Sequence, residues 1–273
     1  MQATAASPAT VQADLQQQQT LDKQLPRFYA PQLPASVGAA VQLEPEEARH
    51  AVRVLRLKEG DALELCDGSG SLVQCQVAYT DKTSATVRLH ARTVPWQGPQ
   101  WVVAAACLTL KGGRTDWLIE KATELGAYAL LPLVTQRSQT GTTKSKFNRL
   151  QRLALAATKQ SLRAHGLQLL PVMQLSQLLP ELQQAAVSLV ATAGAPPVLQ
   201  VLRQAAQQQD AGGSARCYLL IGPEGDFTPA EVQGLADAGV LPVGLGSNRL
   251  RTETAAMALL SAAVLFTDAV QDG

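Results

Sequence analysis

The chain has few of the residues that build metal centres and disulfide frameworks. Its 273 residues include four cysteines, with no CxxC pair, and three histidines, none in a metal-ligand spacing. This scarcity argues against a zinc site and against a disulfide framework, and it suits a reducing cytoplasm. No apolar run approaches the roughly 20 residues that a transmembrane helix needs. We therefore expect a protein with no metal and no membrane contact.

Charged residues are also scarce, and acids are absent from one long stretch. Between Glu124 and Glu181 the sequence has seven Lys or Arg residues and no Asp or Glu. From residue 164 onward the balance reverses, to nine acids against four Lys or Arg. A basic block in a chain of net charge +1 is the electrostatic footprint of a partner such as RNA. The alternative is a solvated helix face that happens to be basic.

Residues 1–25 differ in composition from the rest of the chain. They are rich in Ala, Gln, Ser and Thr, and they contain no apolar core of a signal peptide. Such a segment cannot bury enough apolar surface to fold, so we predict a disordered tail. We expect the protein in the cytoplasm. A transit peptide in this tail would instead send it to an organellar stroma, but no arginine occurs before Arg27.

Residues 26–94 have the pattern of a small β domain. Apolar and polar residues alternate in three runs, which predicts half-buried strands. The runs are Ala62–Cys66, Ser71–Tyr79 and Thr83–His90. Before them, Glu46–Leu57 has helical spacing, with Ala48, Val52 and Leu55 expected to face inward.

Residues 101–273 alternate apolar strand-like runs with helical patterns, after a linker predicted at residues 95–100. The basic block falls on a long helix predicted at Lys144–Arg163. Further on, Thr228 and Glu231 form a capping box with proline at the first helical position, which is a specific signal for a helix start. Alternation of this kind predicts a parallel sheet covered by helices.

Two loops near the end of the chain have the composition of a ligand site. Ile221–Phe227 follows one predicted buried strand, and Leu245–Ala255 follows another. Each has glycine at the carboxyl end of its strand and precedes a helical pattern. In an open α/β sheet, loops at this position hold a small polar ligand, and glycine lets the backbone approach it. The two loops together predict a site, although either alone would be an ordinary turn.

Four separated motifs resemble a known family. They are Lys111–Arg114 with Trp117–Gly126, Gln160–Ser161 with Arg163, Ile221–Phe227, and Leu250–Thr254. In this order they resemble the RsmE family, the 16S ribosomal RNA uridine-N3 methyltransferases of the SPOUT class. The resemblance runs from Arg27 to the C-terminus.

The resemblance implies an α/β fold of two domains. A PUA-like β-barrel domain that binds RNA (residues 26–94) would precede a SPOUT-type trefoil-knotted parallel sheet (residues 101–273). It also implies S-adenosyl-L-methionine (SAM) as the cofactor, 16S rRNA of the small ribosomal subunit as the substrate, and a homodimer. The implied reaction transfers a methyl group from SAM to N3 of a specific uridine. General rules of chain topology would not predict a knot, so the knot depends on the resemblance alone.

The chain departs from the family pattern at a few positions. The family usually has two glycines after the glutamate of the first loop, and here the second is Asp226. Lys159 and Leu162 stand where the family commonly has an acid and a glycine. Ser247–Asn248 replaces a pair that usually contains proline.

Two sets of binding residues are predicted. The loop glycines would let the backbone reach the polar edges of SAM, while leucines would pack on its adenine. The predicted cofactor residues are Thr192, Gly194, Ile221, Gly222, Glu224, Gly225, Leu245, Gly246, Leu250 and Thr254. The cations predicted to hold RNA phosphates are Arg27, Arg53, Arg56, Lys111, Arg114, Arg149, Arg152 and Arg163.

Catalysis is assigned to Arg251 and Glu253. Uracil N3 carries an imide proton that must leave, and Arg251, at a predicted helix start, would stabilise the resulting negative charge. Glu253 or Glu224 would accept the proton, and the alternative is that both cap a helix or pair with arginine. A homodimer would bury the face of the last helix. That face comprises Ala255, Leu259, Ala262, Ala263 and Phe266, for which core packing is the alternative.

Two other functions stay open at this point. The first is another SPOUT enzyme that acts on tRNA or on a ribose hydroxyl, which a nucleoside digest would distinguish. The second is a non-catalytic RNA-binding protein that keeps the fold, which absence of SAM binding would favour. A nucleotide-dependent doubly wound enzyme has no support, because no G-x-G-x-x-G follows a strand and no P-loop occurs.

Overall fold

The chain divides into two units, of which the first contains the N-terminal sheet. A computed structural model describes residues 25–33, 39–80, 85–108, 110–138, 144–208 and 215–271. The first unit extends to Asp67 and includes Ser71–Thr93, and the second comprises Gly68–Gly70 and the chain from Val94 onward. The tail predicted at residues 1–25 lies outside the described residues, apart from Leu25.

The first unit contains a five-stranded sheet. Its strands are β1 (Arg27–Tyr29), β2 (Ala40–Gln42), β3 (Ala62–Cys66), β4 (Ser71–Thr80) and β5 (Ala85–Thr93). Their order is β1-β3-β4-β5-β2, in which β1 and β3 are parallel and the other neighbours are antiparallel. The strands predicted at Ala62–Cys66 and Ser71–Tyr79 are observed as β3 and β4. The third prediction, Thr83–His90, corresponds to β5 from Ala85 onward, and its residues 83 and 84 lie outside the described residues. Leu63 and Leu65 are fully buried with Phe28, which is the alternation that marked β3 in the sequence.

The helix predicted at Glu46–Leu57 consists of two parts. Helix α1 (Pro45–Arg49) is followed by a π-helix at His50–Val54. A π turn holds more residues than an α turn, so the positions that face inward after it differ from those of a regular α-helix. Ala48 is fully buried as predicted, but Leu55 is 41% exposed. The prediction for Leu55 is wrong because it assumed an α-helical period throughout.

The second unit is a parallel sheet with helices on both faces, as the alternation predicted. Its strands are β6 (Gln100–Ala105), β7 (Ala129–Val134), β8 (Gln168–Leu169), β9 (Met173–Gln174), β10 (Val187–Ala191), β11 (Arg216–Ile221) and β12 (Leu241–Val243). Its helices are α2 (Arg114–Glu124), α3 (Lys144–Gln160), α4 (Leu175–Gln184), α5 (Val198–Gln208), α6 (Pro229–Asp237) and α7 (Thr252–Gln271). The strand order is β12-β10-β11-β6-β7-β8, β9 also pairs with β7, and every pairing is parallel.

The central strands are apolar on both sides because helices cover both faces of the sheet. In β6, Val103 and Ala105 enter one hydrophobic core, while Val102 and Ala104 enter the core on the opposite face. All four are fully buried. A strand buried on both faces shows a continuous apolar run instead of an alternating one, which is the pattern of β6 and β11 in the sequence.

The start of α6 has the capping box that the sequence predicted. The Thr228 hydroxyl accepts a hydrogen bond from the Glu231 N–H, and the Glu231 carboxylate accepts one from the Thr228 N–H at 2.8 Å. Pro229 occupies the first helical position. These bonds fix the residue at which the loop after β11 ends and α6 begins.

Helix α7 is apolar over most of its length. Thr252–Val270 is long and apolar enough to cross a membrane by length and composition alone, which corrects the expectation that no such run exists. Core packing accounts for this composition, since Leu259, Leu260 and Ala263 are fully buried against the sheet. Part of the predicted dimer face therefore lies in the core of its own chain. Leu265, on the other side, is 67% exposed.

Candidate active site

The loops that follow β10, β11 and β12 meet at the carboxyl edge of the sheet. Strand β11 lies on one side of β10, and the chain then crosses to β12 on the other side. Strand connections that diverge in this way leave a crevice at the carboxyl ends, where α/β proteins bind ligands. Residues of all three loops line a single cavity of about 960 Å³. The two loops predicted from the sequence and the strand end at Thr192 are thus parts of one site.

Most of the predicted cofactor residues line this cavity. They are Thr192, Gly194, Ile221, Gly222, Glu224, Leu245, Gly246 and Leu250. Gly225 and Thr254 lie elsewhere. Gly225 faces the aliphatic part of the Arg137 side chain because the loop has already turned there, and Thr254 is on the exposed side of α7. Both were predicted from their place in a motif, which does not reveal the direction that a residue faces.

Two glycines that follow β12 occupy positions where a side chain would be strained or would clash, and Gly246 lines the cavity. Gly246 has a φ of 109°, a conformation that side chains rarely adopt. At Gly244, an added Cβ would lie 2.4 Å from the carbonyl oxygen of Ala195. The Gly244 N–H also donates to the Pro196 carbonyl at 2.8 Å. Gly244 was not among the predicted residues, since its neighbour across the fold is invisible in a local pattern.

Arg114, the first residue of α2, connects the two cofactor loops. Its Nη1 donates to Glu224 Oε1 at 3.0 Å and lies 3.4 Å from Glu253 Oε2. The hydrogen bond to Glu224 raises the pKa of Arg114, and the charge of Glu253 adds to the effect. The guanidinium is therefore occupied inside the site, which argues against the predicted phosphate contact of Arg114.

The two predicted catalytic residues have different surroundings. Arg251 lines the cavity and is exposed, and its guanidinium has no hydrogen bond or ion pair with the residues that the structure describes. The Glu253 side chain is 8% exposed, is paired with Arg114 and does not line the cavity. A buried, paired carboxylate outside the cavity is poorly situated to receive a proton from a ligand, so this geometry argues against Glu253 as the acceptor.

Two further arginines hold the main chain of the first loop. Arg137 Nη1 donates to the Gly225 carbonyl at 2.7 Å. Arg249 Nη2 donates to the Glu224 carbonyl at 2.9 Å. Arg249 lies in the second predicted loop but was given no role, and Arg137 was not predicted to belong to the site. The shape of this loop is consequently set by segments that lie far from it in the sequence.

In the first unit, the predicted phosphate-binding residues differ in availability. Arg27 Nη2 lies 2.6 Å from Glu64 Oε2, and the Arg27 side chain is 9% exposed. Its charge is thus paired with Glu64 within the unit, which argues against the predicted phosphate contact. Arg53 and Arg56 are exposed, and Arg56 has a left-handed φ of 55°. These two remain candidates for contact with a polyanion.

In the second unit, the basic block is partly neutralised by an acid from another helix. Arg149 on α3 makes two bonds of 2.6 Å to the carboxylate of Asp116 on α2, and this partner lowers the pKa of Asp116. Arg152 and Lys111 are exposed and have no side-chain partner within the described ranges. The stretch without acids therefore presents less net positive charge in the folded chain than its sequence indicates, because Asp116 neutralises Arg149.

Arg163 caps the C-terminal end of α2 instead of facing solvent. Its Nη1 donates to the Thr123 carbonyl at 2.6 Å, and its Nη2 donates to the Ala127 carbonyl at 2.9 Å. Burial lowers the pKa of Arg163 to about 10, so the side chain stays protonated at neutral pH. A cation at this position stabilises the last carbonyls of a helix. The prediction that Arg163 holds phosphate is not supported by this position.

Comparison with known proteins identifies both parts of the chain. A family model described as an RNA methyltransferase domain matches residues 97–264, and one described as an RNA methyltransferase PUA domain matches residues 43–89. The chain is 32% identical over 249 residues to the Ribosomal RNA small subunit methyltransferase E of Mycobacterium tuberculosis, covering 88% of this chain and 91% of that protein. For the Bacillus subtilis protein of that name, the identity is 30% over 226 residues, which covers 80% and 86% of the two chains.

Solved structures agree with these matches. A probable rRNA-methyltransferase from Porphyromonas gingivalis is 31% identical, with a TM-score of 0.74 over 90% of this chain and 100% of that one. A Ribosomal RNA small subunit methyltransferase E from Neisseria gonorrhoeae, bound to S-adenosyl methionine, is 26% identical, with a TM-score of 0.70 over 87% and 96% of the two chains. With a matched methyltransferase domain over more than half of its length and relatives at 30–32% identity, this chain belongs to the ribosomal RNA small subunit methyltransferase E family.

Proposed function

We propose that the protein transfers a methyl group from SAM to N3 of a specific uridine in 16S rRNA of the small ribosomal subunit. The observation that carries this proposal is the glycine-lined cavity at the carboxyl ends of three parallel strands. It occurs in a chain whose relatives are small-subunit rRNA methyltransferases. Arg251 lies on the cavity wall and has no ion pair with a described residue, so its guanidinium suits charge development during the reaction.

The residues around the cavity fit SAM. A volume of about 960 Å³ lies within the usual range for cofactor sites. Ile221, Leu245 and Leu250 offer apolar contacts for the adenine ring, while Gly222 and Gly246 let main-chain groups approach polar edges. When bound, SAM supplies an electrophilic methyl group on a positively charged sulfur.

The reaction forms a bond between uracil N3 and the methyl carbon, breaks the bond from that carbon to sulfur, and releases the imide proton. Arg251 precedes the first turn of α7, where the helix dipole adds to its own charge. It would stabilise negative charge on the uracil oxygens as the proton leaves. Glu224 is the glutamate that lines the cavity, and its Oε2 is free of the bond that Oε1 makes with Arg114, which supports Glu224 as the proton acceptor.

Recognition of RNA would involve the exposed cations. The N3 edge of uracil is hidden in a base pair, so the enzyme must act on an unpaired or extruded uridine. Arg53, Arg56, Lys111 and Arg152 are exposed, and we assign phosphate contacts to these four. The other four predicted cations already have partners within their own units.

The finer features of the family belong to the same proposal. They are a trefoil knot in the second unit, closure of the first sheet into a PUA-like barrel, and a homodimer. The exposed apolar side chains of Leu265 and Val270 on α7 support a dimer surface. Sedimentation of the intact chain at micromolar concentration tests it. Because small subunits are the substrate, we place the activity in the cytoplasm.

The test is incubation with labelled SAM and small ribosomal subunits from cells that lack the protein. We expect label in 16S rRNA, and a nucleoside digest that yields N3-methyluridine. Arg251→Ala serves as the matched inactive control. A ribose-methylated nucleoside, or label that enters only tRNA, would replace this proposal with another methyltransferase activity. A folded wild-type protein that binds no SAM would exclude an enzyme of this class.

A further inference from the structure

Asp226 is held in a strained backbone conformation on the wall of the cofactor cavity. Its φ is 63°, in the left-handed region that favours glycine, and it lines the cavity. Asp and Asn tolerate this region better than other residues because their side chains bond locally. Here Oδ1 accepts the N–H of Phe227 at 2.8 Å. Strain kept at a ligand-binding position points to a use for the side chain.

The Asp226 carboxylate is an unneutralised acid in this wall. Two acids line the cavity, Glu224 and Asp226. Glu224 is paired with Arg114. Asp226 makes no ion pair with any residue of the described ranges, and this includes Arg249 and Arg251, which line the same cavity. The wall thus carries one negative charge that forms no ion pair with a cation of the described residues.

The carboxylate lies over the first glycine of the loop. Asp226 Oδ1 is 3.4 Å from the point where a Cβ on Gly222 would be. The Phe227 ring is closer still to that point, at 3.1 Å, and both Gly222 and Asp226 line the cavity. Asp226 is exposed, so solvent screens its charge, and its attraction for a ligand charge several ångströms away is strongest at low ionic strength.

We propose that Asp226 binds the cationic methionyl part of SAM by charge. This inference rests on the proposed function, because it concerns the same cavity. SAM has two positive centres, the sulfonium and the α-ammonium group. S-adenosylhomocysteine keeps the ammonium group but has a neutral sulfur, and 5′-methylthioadenosine has neither charge. If the sulfonium is the partner, transfer of the methyl group removes the attraction and favours release of the product.

The test compares three ligands on two variants by calorimetric titration at low ionic strength. Asp226→Asn keeps the shape, the local hydrogen bond and the tolerance for the left-handed region, and it removes the charge. Asp226→Gly removes the charge and relaxes the backbone. We expect both to bind SAM roughly three- to tenfold more weakly, from one charge pair at several ångströms, and to bind 5′-methylthioadenosine as the wild type does. Asp237→Asn, at the exposed end of α6, is the matched control with no expected change.

The S-adenosylhomocysteine titration separates the two positive centres. Unchanged affinity assigns Asp226 to the sulfonium, and a loss equal to that of SAM assigns it to the ammonium group. Unchanged SAM affinity in both variants, or an equal loss for 5′-methylthioadenosine, overturns the inference. Failure of the wild-type protein to bind SAM would instead refute the proposed function. Thermal melting of the free variants checks that each is folded.

Discussion

Replacing Gly244 with alanine should push apart two walls of the cofactor cavity. Gly244 follows β12, and its N–H and C=O bond to Pro196 and Val198 at 2.8 and 3.1 Å. An added Cβ would lie 2.4 Å from the carbonyl oxygen of Ala195, whereas ordinary contact begins at 3.4 Å. The difference, about 1 Å, is the distance by which the two segments must separate.

The obstacle is a main-chain atom in a hydrogen-bonded segment, so no side-chain rotation can relieve it. Overpacking of this kind costs about 1–3 kcal/mol, which lowers the melting temperature by roughly 2–4 °C for each kcal/mol in a domain of this size. The displaced walls carry Gly194 on one side and Gly246 on the other. We expect SAM affinity to fall roughly tenfold or more, and the single-turnover rate by about 100-fold, because misplacement by 1 Å has effects of that size.

Calorimetric titration with SAM, together with thermal melting, measures both effects. Gly239→Ala is the matched control. Gly239 has a φ of 77° and no atom within 4 Å of an added Cβ, and it lies beyond the end of α6, away from the cavity. It should lose about 1 kcal/mol of stability through backbone strain and keep its affinity for SAM. If folded Gly244→Ala binds SAM as tightly as the wild type, the close approach at Gly244 does not define the cavity.

Four other substitutions test the assigned roles of single arginines. Arg251→Ala should lower the single-turnover rate by about 100-fold with SAM affinity nearly intact, and an equal loss of affinity would mean that Arg251 binds the cofactor. Arg152→Ala should reduce the salt slope of RNA binding by about one unit, and Arg149→Ala should reduce it less because its charge is already paired; equal reductions would contradict this distinction. Arg163→Met should leave that slope unchanged and lower the free energy of unfolding by about 2 kcal/mol or more, measured with denaturant, because two carbonyls lose a charged donor. A changed slope with unchanged stability would restore a phosphate contact for Arg163.

Local patterns were sufficient for most elements of the second unit. The long helix predicted at Lys144–Arg163 is observed as α3 at Lys144–Gln160, and the capping box at Thr228 begins α6 where the sequence placed it. These signals depend on hydrophobic periodicity and on residues a few positions apart. The π-helix before Leu55 has no such signal, since its hydrogen bonds alter the period without altering composition.

The choice of partner by each cation could not be predicted. Arg149 meets Asp116, 33 residues away, and Arg114 meets Glu224, 110 residues away. A count of charges along the chain measures how much charge a segment carries, but tertiary packing decides whether it is neutralised. For this reason the stretch without acids predicted more free cations than the folded chain presents.

The arginines around the first loop therefore have to be distinguished by their partners and not by their positions. Arg114, Arg137 and Arg249 all bond to the loop between Glu224 and Phe227, either through a carboxylate or through main-chain carbonyls. Removing any of them frees a loop that lines the cavity, so SAM affinity and rate should fall together. Arg251 has no such bond within the described chain, so its removal should leave the loop intact. The reaction rate should then fall because the guanidinium no longer stabilises charge on the substrate. The ratio of rate loss to affinity loss, and not the size of either, identifies which arginine acts on the substrate.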